Sequence, residues 1–110
     1  SRRQIEITLA LKKLLSEDSH INRRPSYYAQ LLHISPVYLN EVVKNITGTT
    51  ASKYIQDEII LRAKRMLIYT TLSIKEIAFN LGFDDHTYFT RLFTQTAGLS
   101  PTTYRKKYLE

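Results

Sequence analysis

The chain has 110 residues, the size of one compact unit or of two small subdomains that share an element. Its 43% hydrophobic and 24% charged residues are ordinary for a globular protein, no apolar run approaches the ~20 residues that span a bilayer, and the lack of cysteine excludes disulfides and thiolate chemistry. Sixteen Lys and Arg against ten Asp and Glu give a net charge of +6, which favours an anionic partner such as nucleic acid or an acidic membrane surface.

The first half of the chain is predicted to form three helices. Only three Gly and three Pro occur, and apolar residues recur at three- and four-residue spacings, which favours an all-α fold. The first helix is predicted over residues 3–16, and a short second helix from Pro25. The third follows the N-cap Ser35 and runs to Ile46 before Gly48. The buried side of the first helix is expected to contain Ile5, Leu9, Leu11, Leu14 and Leu15.

The second half is predicted to form four helices: one over about residues 50–69, one from Ser73 to near Leu81, one that starts after Asp85, and one from Ser100 to about Leu109. Their start signals are a capping box of Ser73 with Glu76, the N-cap Asp85, and Pro101 directly after Ser100. The long helix is expected to bury a stripe formed by Ile55, Ile59, Ala63, Met66 and Leu67. The chain is therefore predicted to have seven helices.

The two halves repeat each other, mostly at an offset of fifty residues. The matching positions are Tyr38-Leu39 with Tyr88-Phe89, Gly48 with Gly98, Thr50 with Ser100, Tyr54 with Tyr104, and Ala29 and Leu32 with Ala78 and Leu81. Chance similarity between short amphipathic helices is the alternative interpretation. Each repeat has a short helix, a turn and a second helix, the layout of a helix-turn-helix. We predict a first helix-turn-helix subdomain over residues 1–49, a linker helix over 50–70 and a second subdomain over 71–110.

The second helix of each repeat is predicted to hold one face in the core and present the other to a partner. The inward residues are expected to be Leu39, Val42, Val43 and Ile46 in the first repeat, and Phe89, Leu92 and Phe93 in the second. The outward residues are expected to be Val37, Asn40, Glu41 and Lys44 in the first repeat, and His86, Thr87, Thr90, Arg91 and Thr94 in the second. A DNA major groove admits such a helix, in which Arg pairs with guanine, Asn with adenine, and Val or a Thr methyl packs on thymine.

These outward residues also have simpler interpretations. Thr87 and Thr90 could be ordinary solvated surface, and Arg91 could form an ion pair with Asp84 or Asp85. Cations at or near helix starts are candidates for contacts with phosphate, since free N–H groups at helix N-termini attract anions. These cations are Arg24, Lys75 and Arg105, and each could instead be a solvated charge.

At these residues the chain resembles the DNA-binding domain of AraC/XylS-family bacterial transcription regulators. The stretch "AKRMLIYTTLSIKEIAFNLGFDDHTYFTRLFTQTAGLSPTTYRKKY" is similar to the family pattern I-A-x-x-x-G-F, then Y-F-x-R-x-F, then G-x-S-P and Y-R. The resemblance implies seven helices, two helix-turn-helix units joined by a long helix, and binding of promoter DNA. The base-contacting positions that it implies are all of these outward residues except Thr94. The chain departs from the family at four positions: Ile59 for Arg, Val43 for Phe, Thr94 for Lys, and His33 for Gly.

The expected partners are double-stranded promoter DNA, RNA polymerase, and a separate sensor or dimerisation domain. Such a domain is usual in the family, and a start at Ser1 in place of Met suggests a piece of a longer protein. A cytoplasmic location is expected, with no membrane contact from this segment. An enzyme is not expected, since no glycine-rich phosphate loop or paired-carboxylate spacing occurs, and neither cofactor nor metal is predicted. The alternative function is a helical protein-interaction module without DNA specificity.

Overall fold

The computed structural model describes residues 1–17 and 21–109. Within these residues the chain forms seven helices and no strand, which confirms the predicted all-α fold. The helices are α1 (Arg2–Glu17), α2 (Pro25–Leu31), α3 (Pro36–Thr47), α4 (Ala51–Tyr69), α5 (Ile74–Asn80), α6 (His86–Ala97) and α7 (Pro101–Leu109). Their bounds lie within a residue or two of those expected from the capping signals.

The chain divides into two compact units, Ser1–Glu58 and Ile59–Glu110. The division falls inside α4, so each unit contains a complete helix-turn-helix pair and part of the long helix. The predicted subdivision into 1–49, 50–70 and 71–110 differs from this only in treating the long helix as a separate segment, and it stays a prediction.

In the first unit, α3 packs against both α1 and α2. Its anchors Leu39, Val42 and Val43 are fully buried, as predicted. Ile46 was expected to face inward as well, but it is 38% exposed. The last turn of α3 therefore lies at the edge of the core.

The predicted buried side of α1 is wrong at two positions. Ile5 and Leu9 are 48% and 60% exposed, whereas Ile7 and Thr8 are buried together with Leu11 and Leu15. At 100° per residue, positions 5 and 9 lie on the side of the helix opposite to position 7. The apolar residues of α1 are distributed around the helix, so hydrophobicity alone did not identify the face that packs on α3.

The core of the second unit is built on aromatic side chains. Phe89 contacts Phe83 with ring centroids 5.2 Å apart and Phe93 at 5.9 Å, and Phe93 in turn contacts Tyr104 of α7 at 5.5 Å. Phe89, Leu92 and Phe93 are buried, which confirms the predicted inward face of α6. Rings of this size bury large areas and fix the orientation of the helix that carries them.

The turn within each helix pair has the same backbone hydrogen bond. The N–H of Ile34 donates to the carbonyl of Ala29, and that of Phe83 donates to the carbonyl of Ala78, both at 3.0 Å. The residue before each of these donors is left-handed: His33 has φ 59° and Gly82 has φ 86°. Glycine adopts this conformation at lower cost than histidine.

The helix ends follow the predicted signals. Ser35 accepts from the N–H of Tyr38 at 3.0 Å, and Asp85 accepts from the N–H of Thr87 at 2.9 Å. At α5 a full capping box forms between Ser73 and Glu76. Its hydrogen bonds hold the pKa of Glu76 below its ordinary value. Left-handed glycines 48 and 98 follow α3 and α6, with φ of 83° and 82°.

Along α4 the buried residues recur at four-residue spacing. Four members of the predicted stripe are buried, whereas the fifth, Met66, is only half-buried. The buried members are Ile55, Ile59, Ala63 and Leu67, and Ile60 is buried beside them.

Candidate nucleic-acid interface

The exposed face of α3 begins at Val37, directly after Pro36. All four residues that were predicted to point outward on this helix are exposed: Val37, Asn40, Glu41 and Lys44. Val37, in the first turn, is 79% exposed. Glu41 and Lys44 lie beside it, and Lys44 is in the last turn, where a cation also favours the helix dipole.

The exposed face of α6 is formed by His86, Thr87 and Arg91, and Thr90 is half-buried beside them. Because the opposite face holds the buried phenylalanines, these four side chains are displayed on a helix that is firmly anchored. Within the described residues, Arg91 forms no ion pair with Asp84 or Asp85, so the structure does not support that alternative interpretation. Its guanidinium can bind a planar acceptor.

Asn40 differs from the other outward residues because its side chain has a partner inside the protein. Its Oδ1 accepts a hydrogen bond from the backbone N–H of Ala51, at 2.9 Å. This bond joins the middle of α3 to the first residue of α4. Pairing with adenine uses both the oxygen and the nitrogen of an asparagine amide, so a bidentate contact by Asn40 would require this bond to break.

The three predicted phosphate contacts have different surroundings. Arg24 is exposed just before α2, where its side chain caps nothing, and Lys75 is exposed in the first turn of α5. Arg105 is half-buried: its Nε donates to the carbonyl of Leu67 at 2.9 Å, and its Nη2 donates to that of Thr70 at 3.2 Å. These carbonyls lie at the end of α4, so the guanidinium satisfies groups that the helix leaves unpaired.

The repeated tyrosines at the starts of α4 and α7 stay uncharged near neutral pH. Burial and the carboxylate of Glu58, which accepts a hydrogen bond from the hydroxyl, raise the pKa of Tyr54 to about 12. Burial and the neighbouring Tyr108 also raise the pKa of Tyr104.

Other kinds of site find little support in residues 1–17 and 21–109. No group of three or more His, Cys, Asp or Glu side chains there could hold a metal ion. Every helix in the same residues is too short or too polar to cross a membrane.

Two tandem helix-turn-helix units, each with a well-anchored second helix, define the class of protein to which this chain belongs. The model of a family described as a helix-turn-helix domain matches residues 28–107, from within α2 to within α7. The chain belongs to this family, in the branch of AraC/XylS-type bacterial transcription regulators.

The chain is similar to the regulator YfiF of Bacillus subtilis, at 37% identity over 94% of this chain and 31% of that protein. It is also similar to the arabinose operon regulatory protein of Salmonella typhimurium, at 33% identity over 80% of this chain and 31% of that protein. Among solved structures, the C-terminal domain of AraT, a response regulator of Geobacillus stearothermophilus, superposes with a TM-score of 0.79. That pair is 29% identical over 92% of this chain and 84% of the other. The chain thus spans about a third of the length of these curated relatives.

The contacts of Asn40 and Arg105 were missed by sequence reasoning. One signal was available for Asn40: the repeat places Ala51, which has a backbone N–H, opposite Pro101, which has none. An acceptor is therefore needed only in the first unit. No comparable pattern marks the two bonds of Arg105, which join residues 38 and 35 positions apart.

Proposed function

We propose that this chain binds double-stranded promoter DNA in a sequence-specific manner, as the DNA-binding domain of a bacterial AraC-type regulator. One observation supports this above all: α3 and α6 each bury an apolar face in the core and expose the opposite face. A helix held in this way can enter a major groove without unpacking.

The exposed side chains suit base edges of different kinds. Arg91 offers two parallel N–H groups to guanine O6 and N7, and the apolar Val37 offers contact with a thymine methyl. Glu41 can accept from cytosine N4, Lys44 can donate to guanine, and His86, Thr87 and Thr90 can donate or accept. Arg24 and Lys75 are proposed to bind phosphate, since both are exposed cations near helix starts.

The two reading helices are proposed to occupy successive major-groove segments. The long helix α4 has 19 residues. At ~1.5 Å per residue it is ~28 Å long, close to the ~34 Å between groove segments on one side of DNA. The DNA site is therefore expected to contain two recognised segments about one helical turn apart.

The remainder of the regulatory function is proposed from the family. A sensor or dimerisation domain in the full-length protein would supply the signal, and RNA polymerase would be the partner at the promoter. Such a protein acts in the cytoplasm, where bacterial chromosomes lie, and this domain needs no catalytic group or cofactor for that role.

The proposal is tested by selecting bound duplexes from a pool randomised over about two helical turns. We expect a single enriched motif with two conserved segments. Affinity for that motif is then measured at several salt concentrations. Six phosphate contacts would weaken binding by about 10³ between 50 and 200 mM salt.

The result that would overturn the proposal is a pool without any enriched motif. Weak salt dependence together with a tight protein partner would instead indicate the alternative, a protein-interaction module. Lys12→Ala serves as a matched control, because Lys12 is an exposed cation of α1 outside both reading faces. Its loss should leave the enriched motif unchanged.

A further inference from the structure

The bond between Asn40 and Ala51 satisfies a backbone group that α4 would otherwise leave unpaired. The first N–H groups of a helix have no partner within it. At α4, Thr50 accepts from the N–H of Lys53 at 3.1 Å, and the N–H of Ala51 is served by Asn40 at 2.9 Å. Ala51 is only 1% exposed, so water has little access to replace this acceptor.

The second unit shows what happens when this donor is absent. Fifty residues after Asn40 and Ala51 the sequence has Thr90 and Pro101. The cap of the following helix is repeated: Ser100 accepts from the N–H of Thr103 at 3.1 Å, as Thr50 does for Lys53. Proline has no N–H, so the helix start in the second unit needs no acceptor from the preceding helix. In the described part of the chain, the hydroxyl of Thr90 makes no hydrogen bond.

We infer that Asn40 is a positioning residue that fixes α3 against the start of α4, whereas Thr90, its counterpart in the repeat, is available to contact a base. This inference depends on the proposed DNA binding, since it assigns different roles to matching positions of the two reading helices. It replaces the expectation that Asn40 pairs with adenine. Base readout in the first segment then depends on Val37, Glu41 and Lys44.

A positioning role differs from a purely stabilising one. If the Asn40 bond sets the orientation of α3, its loss must weaken DNA binding by molecules that are still folded. The affinity must also fall by the same factor for every variant of the DNA site, because Asn40 itself contacts no base.

The experiment compares Asn40→Ala with Thr90→Ala, using thermal unfolding and affinities for all single-base variants of the selected site. We expect Asn40→Ala to lower Tm by about 4–8 °C, the effect of losing one capping bond in a small domain. Well below Tm it should weaken binding about tenfold for all site variants, with an unchanged pattern of preference. Thr90→Ala should leave Tm within about 2 °C of its original value and relax preference at one base pair.

The Ala51→Pro variant tests whether Asn40 acts through the N–H of Ala51. Proline is tolerated at the first position of a helix, and the second unit has Pro101 at the matching position. Since Ala51→Pro removes the donor, adding Asn40→Ala to it should change neither Tm nor affinity further. Asn40→Asp supplies a second check: it keeps an acceptor for Ala51, so it should retain Tm even if the proline variant does not fold.

Three results would overturn the inference. Asn40→Ala could alter preference at one base pair, which would make Asn40 a reader. It could lower Tm without changing affinity, which would make the bond purely stabilising. It could also have its full effect in the Ala51→Pro background, which would exclude action through this N–H. Failure of the proposed function looks different, since the original domain would then show no preferred site.

Discussion

Arg91 is the residue whose loss should be most visible in DNA recognition. It is exposed on α6, and the described residues include no ion pair that would hold it. We expect Arg91→Ala to weaken binding to the selected site by about 1–3 kcal/mol, the contribution of a bidentate pair with guanine, and to relax preference at one position. Affinities for the site and its single-base variants measure both effects.

Arg91→Lys is the matched control, because it keeps the charge but loses the planar pair of donors. It should retain most of the affinity for random DNA and little of the preference for guanine. An equal loss on specific and random DNA would contradict the assignment and make Arg91 a phosphate contact.

Arg105 should act mainly on stability. Its guanidinium donates to the carbonyls of Leu67 and Thr70 at the end of α4, where a cation also complements the helix dipole. We expect Arg105→Ala to lower the free energy of unfolding by about 1–2 kcal/mol, measured by urea denaturation. The slope of log affinity against log salt should stay constant. A slope smaller by about one would show a phosphate contact instead, as first predicted from the sequence.

At the scale of single residues, the sequence predicts which side chains are exposed better than it predicts which groups they contact. The spacing of apolar residues and the capping signals identified which side chains of α3 and α6 point outward. They could do so because the buried apolar residues of these helices are confined to one face. The partners of Asn40 and Arg105 are backbone groups brought near by tertiary packing. The repeat marks the unpaired N–H of Ala51, whereas no sequence pattern marks the carbonyls that Arg105 contacts.

The helix-turn-helix turns allow a prediction at the scale of elements. His33 and Gly82 occupy matching left-handed positions, with φ of 59° and 86°. A left-handed non-glycine residue costs about 1–2 kcal/mol, partly offset by the greater freedom of glycine in the unfolded chain. We therefore expect His33→Gly to stabilise the domain and Gly82→His to destabilise it, each by about 0.5–1 kcal/mol.

Urea denaturation of both variants tests this asymmetry. Gly48→Ala calibrates the backbone term, since a Cβ at Gly48 would meet nothing within 4 Å and φ is 83°. Equal destabilisation by His33→Gly and Gly82→His would show that the His33 side chain contributes contacts that outweigh its strained backbone.

At this scale the repeat carried most of the predictive information. It located both turns, both left-handed glycines after the reading helices, and the caps of α4 and α7. It could not orient α1, which lies outside the repeated unit and has apolar residues on opposite sides. Which side of such a helix is buried depends on its packing partner. For α1 that partner is α3, which is two helices further along the chain.

At the scale of the whole molecule, we propose that α4 sets the spacing of the two DNA segments read by one chain. The helix belongs to both compact units and has 19 residues, so its length is ~28 Å. Groove segments one turn apart on the same side are separated by ~34 Å, and a second turn doubles that distance. We expect hydroxyl-radical footprinting of the domain on its selected site to show two protected segments about ten base pairs apart.

Insertions between the two segments distinguish one chain from two. Five added base pairs move the second segment to the opposite side of the duplex, and ten restore the side but place it ~68 Å away. A single domain joined through α4 should lose the second segment in both cases, and its affinity should fall to that of one segment. If ten base pairs restored full binding while five did not, the segments would be occupied by separate molecules, which would contradict the proposed reading of both segments by one chain.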